Sequence, residues 1–308
     1  MIWTFTPNPA LDITWQAPDQ TRGQVHRITE YSQRPGGKGL NVSRVLEQLG
    51  VPNHATGFLG GTTGQAIASL MEEMTTQVTT HWVDVPVQTR RSIAMIDGEA
   101  TVYNESGFSL PPHSWEEMRE LLKASLNASD VLVVSGSLPG DTSFESLEPI
   151  LESARERGCR IILDTSGPSL VQCARWADVL KPNHHELLDA TGASSIEEGA
   201  RTLLELGPTW VCVSRGEEGM DLFSAHSHWH AEAGVVLEGN PTGAGDACVA
   251  SLARSLAQAG DDLESIISTA IAEAVATSAA AVTMPVAGEI DCPLREELLA
   301  RITPIRLS

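Results

Sequence analysis

The chain has 308 residues, 42% hydrophobic and 19% charged, with 26 glycines and 17 prolines. Such a composition can bury a sizeable core, and it excludes a disordered, collagen-like or disulfide-scaffold protein. Forty acidic residues against twenty basic ones leave a net charge of −20, and no Lys/Arg cluster relieves it, so nucleic acid is a poor partner.

In chain order, Met1 to Pro9 has neither a basic region nor an apolar run, so no signal peptide is expected. Pro35-Gly36-Gly37-Lys38-Gly39 is a glycine-rich turn that opens a helix. Val42, Val45, Leu46 and Leu49 then recur at i, i+3, i+4 and i+7, and Gly50 marks the stop. Two stretches break the later rhythm, Asp12 to Arg34 and Ser92 to Asn104. In the second, Asp97-Gly98 between Ile93-Ala94-Met95-Ile96 and Ala100-Thr101-Val102-Tyr103 predicts a tight hairpin. Together they are read as one small β-sheet, about 12–34 and 90–105, standing off the body as a lid, a dimer surface or both.

Further on, Val131-Leu132-Val133-Val134, a helix near Phe144 to Arg157, Ile161-Ile162-Leu163 and Val179-Leu180 alternate. That pattern predicts a parallel sheet wrapped by helices, within a single domain spanning 1–308. The small-residue run from Ala270 to Val286 contains Glu273, Thr277, Ser278 and Thr283, which favours a buried helix over a membrane span. Five widely spaced cysteines argue against disulfides or a CxxC metal site and for the cytoplasm.

The strongest chemical signal is Asn240-Pro241-Thr242-Gly243-Ala244-Gly245-Asp246 ahead of an apolar helix. Glycines let backbone N–H groups converge at a helix start, which suits an anion, and a carboxylate in that turn is placed to accept a proton from an attacking hydroxyl. Phosphoryl transfer needs that pairing; a capped helix behind a plain turn is the alternative. In Gly36-Gly37-Lys38-Gly39-Leu40-Asn41, Lys38 supplies a point charge and Asn41 a bidentate amide, but the segment is not a Walker A loop. Asn183 and Glu186 in Lys181-Pro182-Asn183-His184-His185-Glu186 have the spacing of a water-mediated Mg²⁺ site and equally of a capping box. Ser135-Gly136-Ser137-Leu138-Pro139-Gly140 ends a buried strand, where α/β proteins place ligand loops. His226, His228 and His230 alternate along a strand and are expected on a solvated face. Arg90-Arg91 lies at the mouth of the lid.

In this order and spacing the segments resemble the PfkB (ribokinase-like) carbohydrate kinases over essentially the whole chain. Thr6-Pro7-Asn8-Pro9-Ala10-Leu11-Asp12, Gly36 to Asn41, Thr89-Arg90, Ser135 to Pro139 and Lys181-Pro182-Asn183 are similar to the phosphosugar branch, that of the 1-phosphofructokinases and tagatose-6-phosphate kinases. The resemblance implies a doubly wound α/β core with a β-sheet lid that often serves as a dimer interface. It also implies ATP and Mg²⁺ as cofactors and a phosphosugar as acceptor, best matched by D-fructose 1-phosphate. A tagatose or fructose 6-phosphate kinase and a non-catalytic sugar-phosphate sensor are the alternatives.

By the same resemblance Asp246 is the base, and Gly243, Ala244 and Gly245 form the anion hole. Asp12, Gly37, Lys38, Asn41 and Ser137 bind the sugar, and Arg90 its phosphate. Lys181, Asn183 and Glu186 serve phosphate and Mg²⁺, while Ser214, Gly216 and Gly219 belong to the nucleotide loop. Arg215 stands where relatives usually carry Leu, so it is expected to touch phosphate or point to solvent. Relatives often read Thr-Arg-Ile-Asn-Val-Lys where this chain has Thr89-Arg90-Arg91-Ser92-Ile93-Ala94.

Overall fold

A computed structural model describes every residue except Asp19 and Asp261. The chain opens with β1 (Ile2–Thr6), then β2 (Ala10–Gln16) and β3 (Tyr31–Gly36), and continues through α1 (Lys38–Gln48), β4 (Asn53–Leu59), α2 (Gly61–Met74) and β5 (Val78–Asp84). Next come the hairpin β6 (Arg90–Asp97) and β7 (Glu99–Asn104), then α3 (Pro112–Ser125), β8 (Val131–Ser135), α4 (Glu148–Glu156), β9 (Arg160–Asp164) and α5 (Pro168–Cys173). They are followed by β10 (Val179–Leu180), α6 (His184–Thr191), α7 (Ile196–Leu204), β11 (Trp210–Ser214), β12 (Met220–Phe223) and β13 (His228–Ala231). The last elements are α8 (Ala244–Gln258), α9 (Ile267–Val282), α10 (Cys292–Leu299) and β14 (Ile305–Arg306).

The main sheet runs β14-β13-β12-β11-β10-β9-β8-β1-β4-β5. From β5 to β11 every pairing is parallel; β12, β13 and β14 add an antiparallel edge. Helices cover both faces, which is why the central strands read as unbroken apolar runs rather than alternating ones. On β8, Leu132 and Val134 enter the core layer shared with α3, α4, α6 and α7, while Val131 and Val133 enter the one shared with α1, α8 and α9. The segment Glu264–Val282 is long and apolar enough to cross a membrane by length and composition. Here its apolar side chains join the second core layer. All five cysteines are free.

The small sheet, β3-β2-β6-β7, is the expected lid. The strands occupy only part of the expected stretch: residues 20–30 contain no strand, and β3 runs on to Gly36. The Asp97-Gly98 turn closes the β6–β7 hairpin, with Gly98 at φ 73°. Register puts Asp12, Arg34, Ser92 and Asn104 in one row across the lid, two residues along from the row of Ala10, Gly36 and Arg90. Because side chains two apart share a face, Asp12, Arg90, Ser92 and Ala94 look the same way.

Candidate active site

Strands β1, β8, β9, β10 and β11 end at one edge of the sheet, and the N-terminus of α8 faces that edge, as open α/β sheets place ligand sites. Gly243 caps α8 with φ 91° and no side-chain cap, so the first N–H groups of the helix carry no intrahelical bond. The turn leaves little room for larger residues. A Cβ on Gly243 would stand 2.7 Å from the Ala287 Cβ, and one on Gly245 would stand 3.0 Å from the Lys181 Nζ.

Asp246 is buried one residue further on. Its Oδ2 accepts a 2.8 Å hydrogen bond from the Asn41 Nδ2, so the two glycine-rich turns, far apart in sequence, meet through these side chains. Burial, and then the charge of Asp164, push the Asp246 carboxyl up to about 7 against the pull of Lys38, the Asn41 bond and Lys181. The oxygen of that amide, Asn41 Oδ1, is buried with no hydrogen-bond partner among the described residues.

Sequence patterning did not single out Asp164. It lies at the end of β9, straight after Ile161-Ile162-Leu163, and that position at the carboxyl end of a buried strand is the signal that marks it. Its Oδ1 accepts from the Lys38 Nζ at 3.3 Å and its Oδ2 from the Ser135 hydroxyl at 2.8 Å. Burial alone would raise this carboxyl, but Lys38, Lys181 and Ser135 hold it below the usual range. Burial would likewise neutralise Lys181, yet Asp164 keeps its ammonium charged. The scarce lysines Lys38 and Lys181 therefore share one carboxylate beneath the glycine turns. Asp164 also raises the Lys38 pKa, and the charges of Asp246 and Glu186 reach the same ammonium.

Asp12 faces this centre from the lid root. Burial pushes its carboxyl up to about 6, while Arg90 and Arg44 pull it down. A Cβ at Gly36 would land 2.1 Å from the Asp12 Cγ, and one at Gly37 (φ 102°) would meet Thr6 at 2.9 Å. Arg90 donates from Nε to the Asn8 carbonyl at 3.1 Å and from Nη1 to the Glu105 carbonyl at 3.4 Å. Neither of these bonds cancels its charge. Asn8 ties the pocket together, since its Nδ2 donates to the Ser106 carbonyl at 3.1 Å and to the Ser137 Oγ at 3.3 Å. Pattern reading noted Asn8 only within a motif; its role as a junction depends on contacts with residues 82 to 130 positions away.

Asn183 and Glu186 form the capping box of α6. Asn183 Oδ1 accepts from the Glu186 N–H at 2.9 Å, and Glu186 Oε2 accepts from the Asn183 N–H at 2.8 Å. Glu186 Oε1 stays outside the box. Among the described residues no group of three or more His, Cys, Asp or Glu side chains is placed to hold a metal ion. Ser214 lies beside this segment, donating its N–H to the Pro182 carbonyl at 3.2 Å. Gly216 (φ 62°) and Gly219 (φ 84°) shape the loop that follows, and a Cβ on Gly219 would stand 2.1 Å from the Ala231 carbonyl oxygen.

Two expectations are corrected here. Arg215 is not a free solvent charge: it pairs with the buried Asp221 at 3.0 Å and with Glu218. His228 and His230 do not sit on a solvated face, because both bond to Asp221. Arg91 bonds to Glu105 at 2.6 Å at the surface.

The sequence model for the pfkB family carbohydrate kinases matches residues 8–291. The chain belongs to this family. As a pfkB carbohydrate kinase it is an ATP-using phosphotransferase with an alcohol acceptor. It is 33% identical over 256 residues to 1-phosphofructokinase of Bacillus subtilis (strain 168), covering 81% of this chain and 84% of that protein. It is 34% identical over 268 residues to tagatose-6-phosphate kinase of Staphylococcus epidermidis, covering 83% and 85%. Phosphofructokinase-2 from Escherichia coli, solved in complex with potassium, superposes with a TM-score of 0.88 at 23% identity, over 97% of this chain and 98% of that one. Ribokinase from Thermotoga maritima superposes with a TM-score of 0.75 at 22% identity, over 97% and 99%, so the ribokinase-like fold is shared.

Proposed function

We propose that this kinase transfers the terminal phosphoryl group of ATP to a ketose monophosphate, with D-fructose 1-phosphate as acceptor and fructose 1,6-bisphosphate as product. One observation carries the reading: the Asn41 to Asp246 bond sets a buried carboxylate, near neutral in its pKa, beside an uncapped glycine turn. Asp246 takes the proton from the acceptor hydroxyl as it attacks. The N–H groups of the Gly243-Ala244-Gly245 turn, with Lys38 and Lys181 behind them, stabilise charge on the transferring group.

The turn suits a polyphosphate by its charge, because the Lys181 ammonium lies 3.0 Å from where a Cβ of residue 245 would stand. Bound Mg²⁺ would neutralise phosphate charge, and Glu186 Oε1 would hold one of its waters. Asn183, whose oxygen is spent on the capping box, keeps its Nδ2 as a donor for phosphate. Ser214, Gly216 and Gly219 line the nucleotide side.

On the acceptor side, Asp12, Gly37, Lys38, Asn41 and Ser137 orient hydroxyl groups and Arg90 meets the acceptor's own phosphate. The curated relatives named above, a 1-phosphofructokinase and a tagatose-6-phosphate kinase, support a phosphorylated acceptor. The exposed Tyr31, Val102 and Tyr103 of the lid suit a homodimer in the cytoplasm.

A coupled ADP assay across fructose 1-phosphate, fructose 6-phosphate, tagatose 6-phosphate and unphosphorylated ketoses tests the substrate. Fructose 1-phosphate is expected to give the highest kcat/KM; a preference for either 6-phosphate moves the assignment, and preference for a neutral ketose removes the role of Arg90. The pH profile tests the base. Because Asp246 must be ionised to act and titrates near 7 in the free enzyme, kcat/KM should rise through about pH 7 and level off above it. A profile flat from pH 5.5 to 8 would exclude Asp246 as the titrating base.

A further inference from the structure

The two corrected expectations meet at one carboxylate. Asp221, on β12, is 2% exposed and accepts three side-chain donors. His228 Nε2 and His230 Nδ1 reach its Oδ1 at 2.9 and 3.0 Å, and Arg215 Nη1 reaches its Oδ2 at 3.0 Å. Both imidazoles meet Oδ1 and the Arg215 guanidinium meets Oδ2, so Arg215 is the permanent cation on the buried carboxylate. Register explains how they converge: Asp221 pairs with Val213 on one side and with His230 on the other.

Arg215 is also the first residue of the loop after Ser214. Its N–H donates to the Gly219 carbonyl at 2.9 Å and its guanidinium holds Glu218, so one side chain spans the loop and bolts it to the hairpin behind. Gly219 rests on the Ala231 carbonyl at the end of β13, one residue past His230. A Leu at 215 would leave Asp221 buried without its charge partner, so the arginine and the aspartate belong together.

We propose that Arg215 and Asp221, with His228 and His230 fixing the carboxylate, are positioning residues that hold the Ser214–Gly219 loop in the shape that receives ATP. The inference rests on the reading of that loop as the nucleotide loop. Neither side chain touches the reacting atoms. They remove the ordering cost that a free loop would meet on binding, so their loss weakens ATP and spares the chemistry.

The test uses the full chain. Arg215→Leu should raise KM for ATP about tenfold, the size expected for losing a charge-assisted tether, with kcat and the acceptor KM within about twofold of wild type. Asp221→Asn should do the same, and the double variant should be no worse than either single one, because both cut the same link. Hydrogen exchange on the ATP-free protein gives a second readout: amides 214–219 and those of the β12–β13 hairpin around Asp221 should exchange faster in Arg215→Leu while the rest of the chain is unchanged.

An unaltered KM for ATP, additive effects in the double variant, or a fall in kcat with general destabilisation would each overturn the proposal. A non-hydrolysable ATP analogue added to wild type separates the two layers of the argument. No slowing of exchange at 214–219 would sink the nucleotide-loop reading and the inference with it. Slowing there, with a normal KM in Arg215→Leu, would sink only the inference.

Discussion

Asp246→Asn is expected to lower kcat by about 10²–10⁴-fold, the usual contribution of a positioned base, with little change in either KM. The amide keeps the shape of the carboxylate and still accepts from Asn41 through its oxygen, so binding and fold should survive. The same variant should be more heat-stable than wild type, and the sign follows from the titration. Asp246 titrates near 7 when folded against 3.8 as a free carboxyl, so folding favours its protonated form. The ionised form therefore costs stability, fully above pH 7 and not at all below pH 3.8. The asparagine never ionises. Its advantage in Tm should reach several degrees at pH 8 and shrink toward pH 5, read by a thermal melt at each pH. Near-normal turnover, or a Tm difference independent of pH, would contradict the assignment.

Asp164→Asn should be the most damaging single change in the site. It leaves the buried Lys181 without its principal counter-charge, which costs about 3 kcal/mol. Lys38 adds less, since its side chain is 42% exposed and can turn to water. Denaturant unfolding measures that loss. A second effect separates this carboxylate from ordinary ion-pair structure: the charge of Asp164 is the second cause of the raised Asp246 pKa. With it gone, the rise of kcat/KM with pH should move below 7. A variant as stable as wild type, with the rise still at 7, would show that the two carboxylates do not interact.

Much of the architecture was legible because it rests on local periodicity. Val42, Val45, Leu46 and Leu49 trace the helix face whose first three members are buried in the structure, and Asp97-Gly98 makes the turn its residue types require. The glycine turns were legible for the same reason, since a backbone that must turn with positive φ advertises itself in the residues it uses. What could not be read were pairings between strands distant in sequence. Asp164 looks like the last residue of an ordinary strand until Lys38 is seen bonded to it and Lys181 held charged by it. His228 and His230 look like a solvated stripe until the antiparallel register brings Asp221 between them. Asn183 and Glu186 show the reverse case: one spacing served both a metal and a helix cap, and the geometry shows the cap.

Helices α8 and α9 pack closely along each other. Much of this contact is small: Ala247, Ala250 and Ala253 on one helix, Ala270, Ala274 and Ala281 on the other. Alanines bring two helix axes close and leave little slack along the seam. The Gly243-Ala244-Gly245 turn therefore sits at the tip of a stiff rod whose height is set by methyl groups behind it. Bulky replacements deep in that seam, out of reach of any nucleotide or sugar, would tilt the rod and spoil turnover while leaving the lid free to change which sugar it grips.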